Sequence, residues 1–199
     1  MSTKDAGGCN GWTEMRRQFF EHNMQQHLIS PRLEQQRQTV VSTAEKCARQ
    51  LLSSLSIDEQ QLQLSDIGCL RTDHHIGLQE VHADIQQHKY AHLCYIVIFY
   101  LCTTDSTAVP LATTEQLAPL WRMTVEQAEA HLSSVEFLSA RVAAGTTLVM
   151  RGDTFHYGVG NPDTYLRYVG FLSFTPRSLP PFDSQEQFYP TGVRYGKIT

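Results

Sequence analysis

The chain has 199 residues, 41% of them hydrophobic and 18% charged, with a formal net charge of −4. This is the composition of a globular chain long enough for one well-buried domain, and it excludes the disordered, collagenous and low-complexity classes. The charge is uneven: residues 51–150 carry 4 Lys/Arg against 11 Asp/Glu, so that middle half of the chain offers no basic stripe for phosphates, and nucleic acid is a disfavoured though not an eliminated partner.

The polar start, Met1 to Gly8, lacks the basic-then-apolar layout of a signal peptide. Met15, Phe19, Phe20, Met24 and Leu28 then recur at helical spacing, with Thr13 as the expected N-cap. Ser30-Pro31 predicts the start of a second helix whose stripe is Leu33, Val40, Ala44, Cys47, Leu51 and Leu55, ending near residues 53–56. Cys47 reads there as a core residue. The five cysteines, at positions 9, 47, 69, 94 and 102, form no CxxC pair and predict reduced thiols.

From about Gln61 the pattern becomes that of strands. Segments 61–70 and 76–85 flank a polar turn, and 88–102 ends in a run of Ile, Val, Phe and Tyr expected to be buried on both faces. Its apolar core, Leu93 to Cys102, is about half of the roughly 20 residues of a membrane span, so no spanning helix is expected and the chain reads as cytoplasmic or nuclear. Residues 104–118 read as a loop, Thr124 with Gln127 as a capping box for a helix through Leu132, and 136–143, 145–150, 154–158 and 164–174 as strands. The fold expected is mainly β with N-terminal helices: a double-stranded β-helix (jelly-roll, cupin-like) barrel buttressed by helices. It forms one domain over 1–199, with a helical buttress at 1–60, the barrel core at 61–175 and an irregular tail at 176–199.

His82-Ala83-Asp84 is the leading chemical candidate, because residues two apart on a strand point to the same side and can reach one metal ion. With nine His and nine Asp, about 0.4 such pairs arise by chance, so the pair alone is weak. His156 on a later strand and Arg167 on the last strand complete a pattern with a purpose. Two His and a carboxylate on one side of octahedral Fe(II) leave positions open for a chelating cosubstrate and O₂, and an arginine supplies a fixed charged fork for a carboxylate.

At these residues the chain resembles the Fe(II)- and 2-oxoglutarate-dependent dioxygenases, whose signature is HxD, a distal His and a basic residue. The resemblance spans residues 79–174. It implies that His82, Asp84 and His156 hold Fe(II), that Arg167 takes the far carboxylate of 2-oxoglutarate, and that Tyr100, in Ile98-Phe99-Tyr100-Leu101, hydrogen-bonds that same carboxylate. Fe(II), 2-oxoglutarate and O₂ are the expected cofactors and cosubstrates. Departures are also visible: Val169 stands where many members have Ser, Arg167 where collagen-type prolyl hydroxylases have Lys, and Ser173 where AlkB-type demethylases have a second Arg. Asp84 is retained, unlike in related halogenases, which favours hydroxylation or a similar C–H oxidation.

The remaining candidates have plainer explanations. His74-His75 reads as a solvated turn, His88 and His92 as surface residues near the site, and His22, His27 and His131 as helical residues without partners at ligand spacing. Arg151-Gly152-Asp153 reads as a hairpin turn, and Gly158-Val159-Gly160 lacks the third glycine of a dinucleotide loop. Two rival readings stand beside the dioxygenase: a cupin-like metal or small-ligand binding protein without oxygenase activity, and a nucleic-acid-modifying member of the same superfamily. The expected partner is a small-molecule or peptide substrate, with no membrane, and the sequence carries no signal for oligomeric state.

Overall fold

Residues 12–16, 31–73, 78–85, 88–161, 163–179 and 190 are described in the computed structural model of the chain. Five strands form the main sheet, every pair antiparallel, in the order β1 (Trp12–Arg16), β2 (Leu62–Thr72), β9 (Arg167–Pro176), β3 (Tyr95–Tyr100), β8 (Thr147–Arg151). Two short ribbons pair β4 (Thr104–Asp105) with β7 (Arg141–Val142) and β5 (Val109–Pro110) with β6 (Phe137–Leu138). The helices are α1 (Pro31–Ser54), α2 (His88–Ala91), α3 (Thr114–Leu117) and α4 (Val125–Leu132). None of the described helices is long and apolar enough to cross a membrane.

Alternation along the strands sorts the main sheet into two faces. One face presents Leu62, Leu64, Ile67, Val97, Leu172 and Phe174 to Ala44, Ala48, Leu51 and Leu52 of α1. A bulge between Leu64 and Asp66 makes this possible, because it keeps Ile67 beyond it on the same side as Leu62 and Leu64 before it. Arg49 ties the helix down: it bonds Glu45 Oε1 at 2.8 Å and Glu59 O at 2.9 Å, and its guanidinium lies 5.2 Å from the centre of the Phe174 ring. The other face carries Ile96, Ile98, Tyr100, Met150 and Val169, packed with Ile85, Ala91 and Cys94. Beyond it a third cluster joins Ala83 and Phe155 to Leu117, Leu120 and Ala128 of the α3–α4 region.

Helix α1 ends as a Schellman turn. Ile57 N–H donates to Leu52 O at 3.1 Å and Ser56 N–H to Ser53 O at 3.0 Å, with Ser56 in the left-handed region at φ 60°.

Several expectations need correction. Residues 12–16 are a strand, not the head of a helix capped by Thr13; all five pair with β2, which would otherwise expose a bare edge. The rest of that expected helix and Ser30 lie outside the described residues. Cys47 is exposed, because the buried stripe of α1 is centred on Ala48 and Leu52, about a hundred degrees around the helix. Val40 and Leu55, placed on the same expected stripe, are exposed too. Residues 78–85 and 154–158 form no ladder strand; they meet at the isolated bridge His82 to His156 and where Gln79 N–H donates to Gly158 O at 2.9 Å, while Tyr157 bridges separately to Ala108. Residues 88–91 are helical before β3 begins. The expected loop 104–118 contains β4, β5 and α3, the last capped reciprocally by Thr113 and Gln116 in the same T-x-x-Q pattern that correctly marks Thr124 and Gln127. Residues 136–143 split into β6 and β7.

Candidate metal centre

His82 and His156 come from segments far apart in sequence that meet in one antiparallel bridge. His82 N–H donates to His156 O at 2.9 Å, and His156 N–H returns the bond to His82 O at 2.8 Å. Ala83, between His82 and Asp84, turns the opposite way into the α3–α4 cluster, so the two flanking side chains share one side. Both imidazoles are buried, and their ring centres are 4.4 Å apart.

Each ring is anchored in the same manner. The Nδ1 of His82 lies 2.8 Å from Glu80 O, and the Nδ1 of His156 lies 3.0 Å from Thr154 O. A carbonyl only accepts, so each Nδ1 carries the hydrogen, and a neutral ring then leaves Nε2 as a bare lone pair. Those two Nε2 atoms lie 3.6 Å from opposite oxygens of Asp84. The ligand atoms of His82, Asp84 and His156 are all within 4.8 Å of one another, and among the described residues this is the one such group of three or more.

Electrostatics favour the neutral state of His82. Burial, and after it the neighbouring His156, hold its pKa down to about 4 against the ordinary 6.5, although Asp84 and Glu80 O pull the other way. Two Nε2 lone pairs and a carboxylate converging in a buried place make a donor set that fits a divalent first-row metal, and the carbonyls behind each Nδ1 fix the rings as ligand supports.

Arg167 opens β9 opposite Thr72 and is 2% exposed. Its Nη2 donates to Val159 O at 2.6 Å and to Thr72 Oγ1 at 3.4 Å, and its Nη1 donates to Gly160 O at 3.2 Å. Burial lowers its pKa, opposed by Cys102, Tyr100, Asp105 and Asp163. Tyr100 lies on the same face of the sheet, paired with Val169, and its hydroxyl oxygen accepts from Thr107 N–H at 2.7 Å. Accepting that bond leaves the hydroxyl hydrogen available for donation elsewhere.

Arg151 closes β8, Gly152 and Asp153 turn, and the Arg151 and Asp153 side chains pair with each other; the expected turn is present but it is not that of a hairpin, since the chain beyond it bridges to His82 and Ala108 and not to β8. His92 is exposed and His131 is half-buried on α4, while His74 and His75 lie outside the described residues. Asn161 carried no signal in the sequence: it belongs to no motif, yet its side chain is fully buried and bonds three carbonyls.

No protein-family model matches the chain, and no curated protein matches it in sequence. Solved structures do. HygX from Streptomyces hygroscopicus, determined with nickel and 2-oxoglutarate bound, is similar over 87% of this chain and 73% of its own, with a TM-score of 0.56 at 12% identity. EvdMO1 is similar over 58% of this chain and 28% of its own (TM-score 0.48, 12% identity). EctD from S. alaskensis, determined with 2-oxoglutarate and 5-hydroxyectoine, is similar over 68% of this chain and 56% of its own (TM-score 0.44, 13% identity). The chain thus spans well under two thirds of the latter two, and at these identities the likeness, carried by HygX, is one of fold. HygX and EctD were determined with 2-oxoglutarate bound, and EctD also with Fe, which are the cosubstrate and the metal of the family that the HxD, distal His and Arg pattern resembles.

Proposed function

We propose that this chain is an Fe(II)- and 2-oxoglutarate-dependent dioxygenase that oxidises a C–H bond of a small-molecule or peptide substrate, with its core over 61–175 built as a double-stranded β-helix barrel. The observation that carries the proposal is the matched anchoring of His82 and His156, which aims two Nε2 lone pairs at one carboxylate. The HygX fold likeness supports it.

In this reading His82, Asp84 and His156 hold the metal on one side and leave the other side to cosubstrate and O₂. When bound, the iron with 2-oxoglutarate and O₂ supplies the oxidation, 2-oxoglutarate being decarboxylated to succinate. The protein binds, orients and shields. Arg167 offers its buried guanidinium to the far carboxylate of 2-oxoglutarate, where low polarity strengthens the pairing. Tyr100, its oxygen already occupied by Thr107 N–H, donates its hydroxyl hydrogen toward the same carboxylate. Ala83, Phe155 and Leu117 close the wall behind the histidines and keep water out.

The test is anaerobic addition of Fe(II) and 2-oxoglutarate to purified protein, reading the visible metal-to-ligand absorption band and, on admitting air, succinate. Full-strength bands in His82→Ala and Asp84→Ala protein would overturn the assignment. A non-oxygenase cupin-like binding protein would have no requirement for Arg167, so unaltered succinate formation in Arg167→Ala protein would favour that rival.

A further inference from the structure

We infer that Asn161 is a positioning residue for Arg167, acting through the loop that joins His156 to β9; the inference rests on the function proposed above. Asn161 stands five residues after His156 and six before Arg167 and has no exposed surface. Its Nδ2 lies 3.2 Å from Thr72 O, 3.2 Å from Asp73 O and 2.9 Å from Tyr165 O. Three carbonyls converge there, so the amide must turn its nitrogen to them.

That choice carries a cost. The Asn161 Oδ1 is buried and makes no hydrogen bond among the described residues. An apolar side chain of similar size would avoid it, so filling the space does not explain an amide at this position.

The groups that Asn161 joins supply the explanation. Thr72 ends β2, and Tyr165 stands two residues before β9 begins. The two carbonyls immediately before Asn161, those of Val159 and Gly160, are the ones to which Arg167 donates. Thr72 gives its carbonyl to Asn161 and its hydroxyl to Arg167. One amide therefore clamps the stretch of loop that bears two acceptors for the guanidinium to the strand end that bears the third. Without it, Val159 O and Gly160 O shift together and the guanidinium loses its aim, while the His82 to His156 bridge, held by its own backbone bonds, stays in place.

The experiment titrates Co(II)-loaded protein with 2-oxoglutarate in four forms: wild type, Asn161→Ala, Arg167→Ala and the double variant. Co(II) affinity is measured separately. Asn161→Ala is expected to weaken 2-oxoglutarate binding about tenfold or more, as loss of a supporting partner does, with Co(II) affinity unchanged. In the Arg167→Ala background the same change is expected to add nothing, since its effect runs through the guanidinium. An equal loss in both backgrounds, or unchanged 2-oxoglutarate binding by Asn161→Ala protein, would overturn the role. Should the alanine protein not fold, Asn161→Asp, isosteric but without the N–H donors, gives the same two readings. If Co(II)-loaded wild type does not bind 2-oxoglutarate, the proposed function falls and this inference with it; if wild type binds and only the Asn161 comparison fails, this inference alone falls.

Discussion

His82 and His156 are bonded twice through their backbones, each N–H to the other's carbonyl, and each ring is tethered by Nδ1 to the carbonyl two residues before it. The bridge is main chain and survives removal of either side chain. His156→Ala is therefore expected to fold with an unchanged circular-dichroism spectrum. Its Co(II) affinity should drop by more than the about 10–100-fold typical of losing a ligand's supporting partner. Calorimetric metal titration is the check.

Gly152 has a neighbour that matters to the site. A Cβ there would overlap Ile85 Cγ1 and crowd Ala91 O and Cys94 Cβ, and Ile85 directly follows Asp84. Gly152→Ala is expected to cost about 1–3 kcal/mol of stability, as overpacking does. Metal affinity should weaken as well, because Ile85 is buried beside the clash and any backbone movement that relieves it displaces the residue next to the carboxylate. Urea unfolding and a metal titration of the same preparation read the two effects.

Burial holds the His82 pKa near 4 against 6.5 for the free side chain, so the unfolded chain takes up this proton more readily than the folded one. The metal-free protein keeps the full contribution above about pH 6.5 and loses it as pH falls toward 4, by about 3 kcal/mol at most. In His82→Gln protein that part of the acid sensitivity should vanish. The comparison is the wild-type minus variant difference in urea stability at neutral pH and at the low end of the window.

Ser56 occupies the left-handed position of the α1 terminus, where a side chain is strained and glycine is not. Ser56→Gly is expected to stabilise the protein by about 0.5–1 kcal/mol, since the strain removed exceeds the added freedom of the unfolded chain. A rise in melting temperature with unchanged metal affinity is the expected outcome, and a fall would show that Ser56 contributes a contact worth more than its strain.

What the sequence disclosed follows from how local each signal is. The His82 and Asp84 pairing was legible because two-residue spacing sets their common side even where the segment makes only a bridge. The Thr124 cap was legible because its partner lies three residues away, whereas the identical Thr113 cap is masked by the Ser-, Thr- and Pro-containing stretch around it, whose composition is that of a loop. The pairing of residues 12–16 with β2 was not legible, since a short run gives the same apolar spacing to a helix or an edge strand and a partner more than fifty residues away decides. The tethering of each Nδ1 to a backbone carbonyl and the convergence of three carbonyls on Asn161 leave no pattern in residue types, because their partners are main-chain atoms whose identity every residue shares.

The bulge between Leu64 and Asp66 sets a parity for the rest of β2. It places Thr72 on the same face as Arg167 and Tyr100, while Leu62 and Leu64 remain under α1. Chain length in this stretch is therefore information in its own right: Ser65 is the residue the ladder skips, and without a skipped residue the even separation of Leu62 and Thr72 would put the leucine and the threonine on one face. Substitutions can retune this protein one face at a time, whereas one more residue inserted in β2 must either be skipped as Ser65 is or turn every later side chain of the strand to the opposite face.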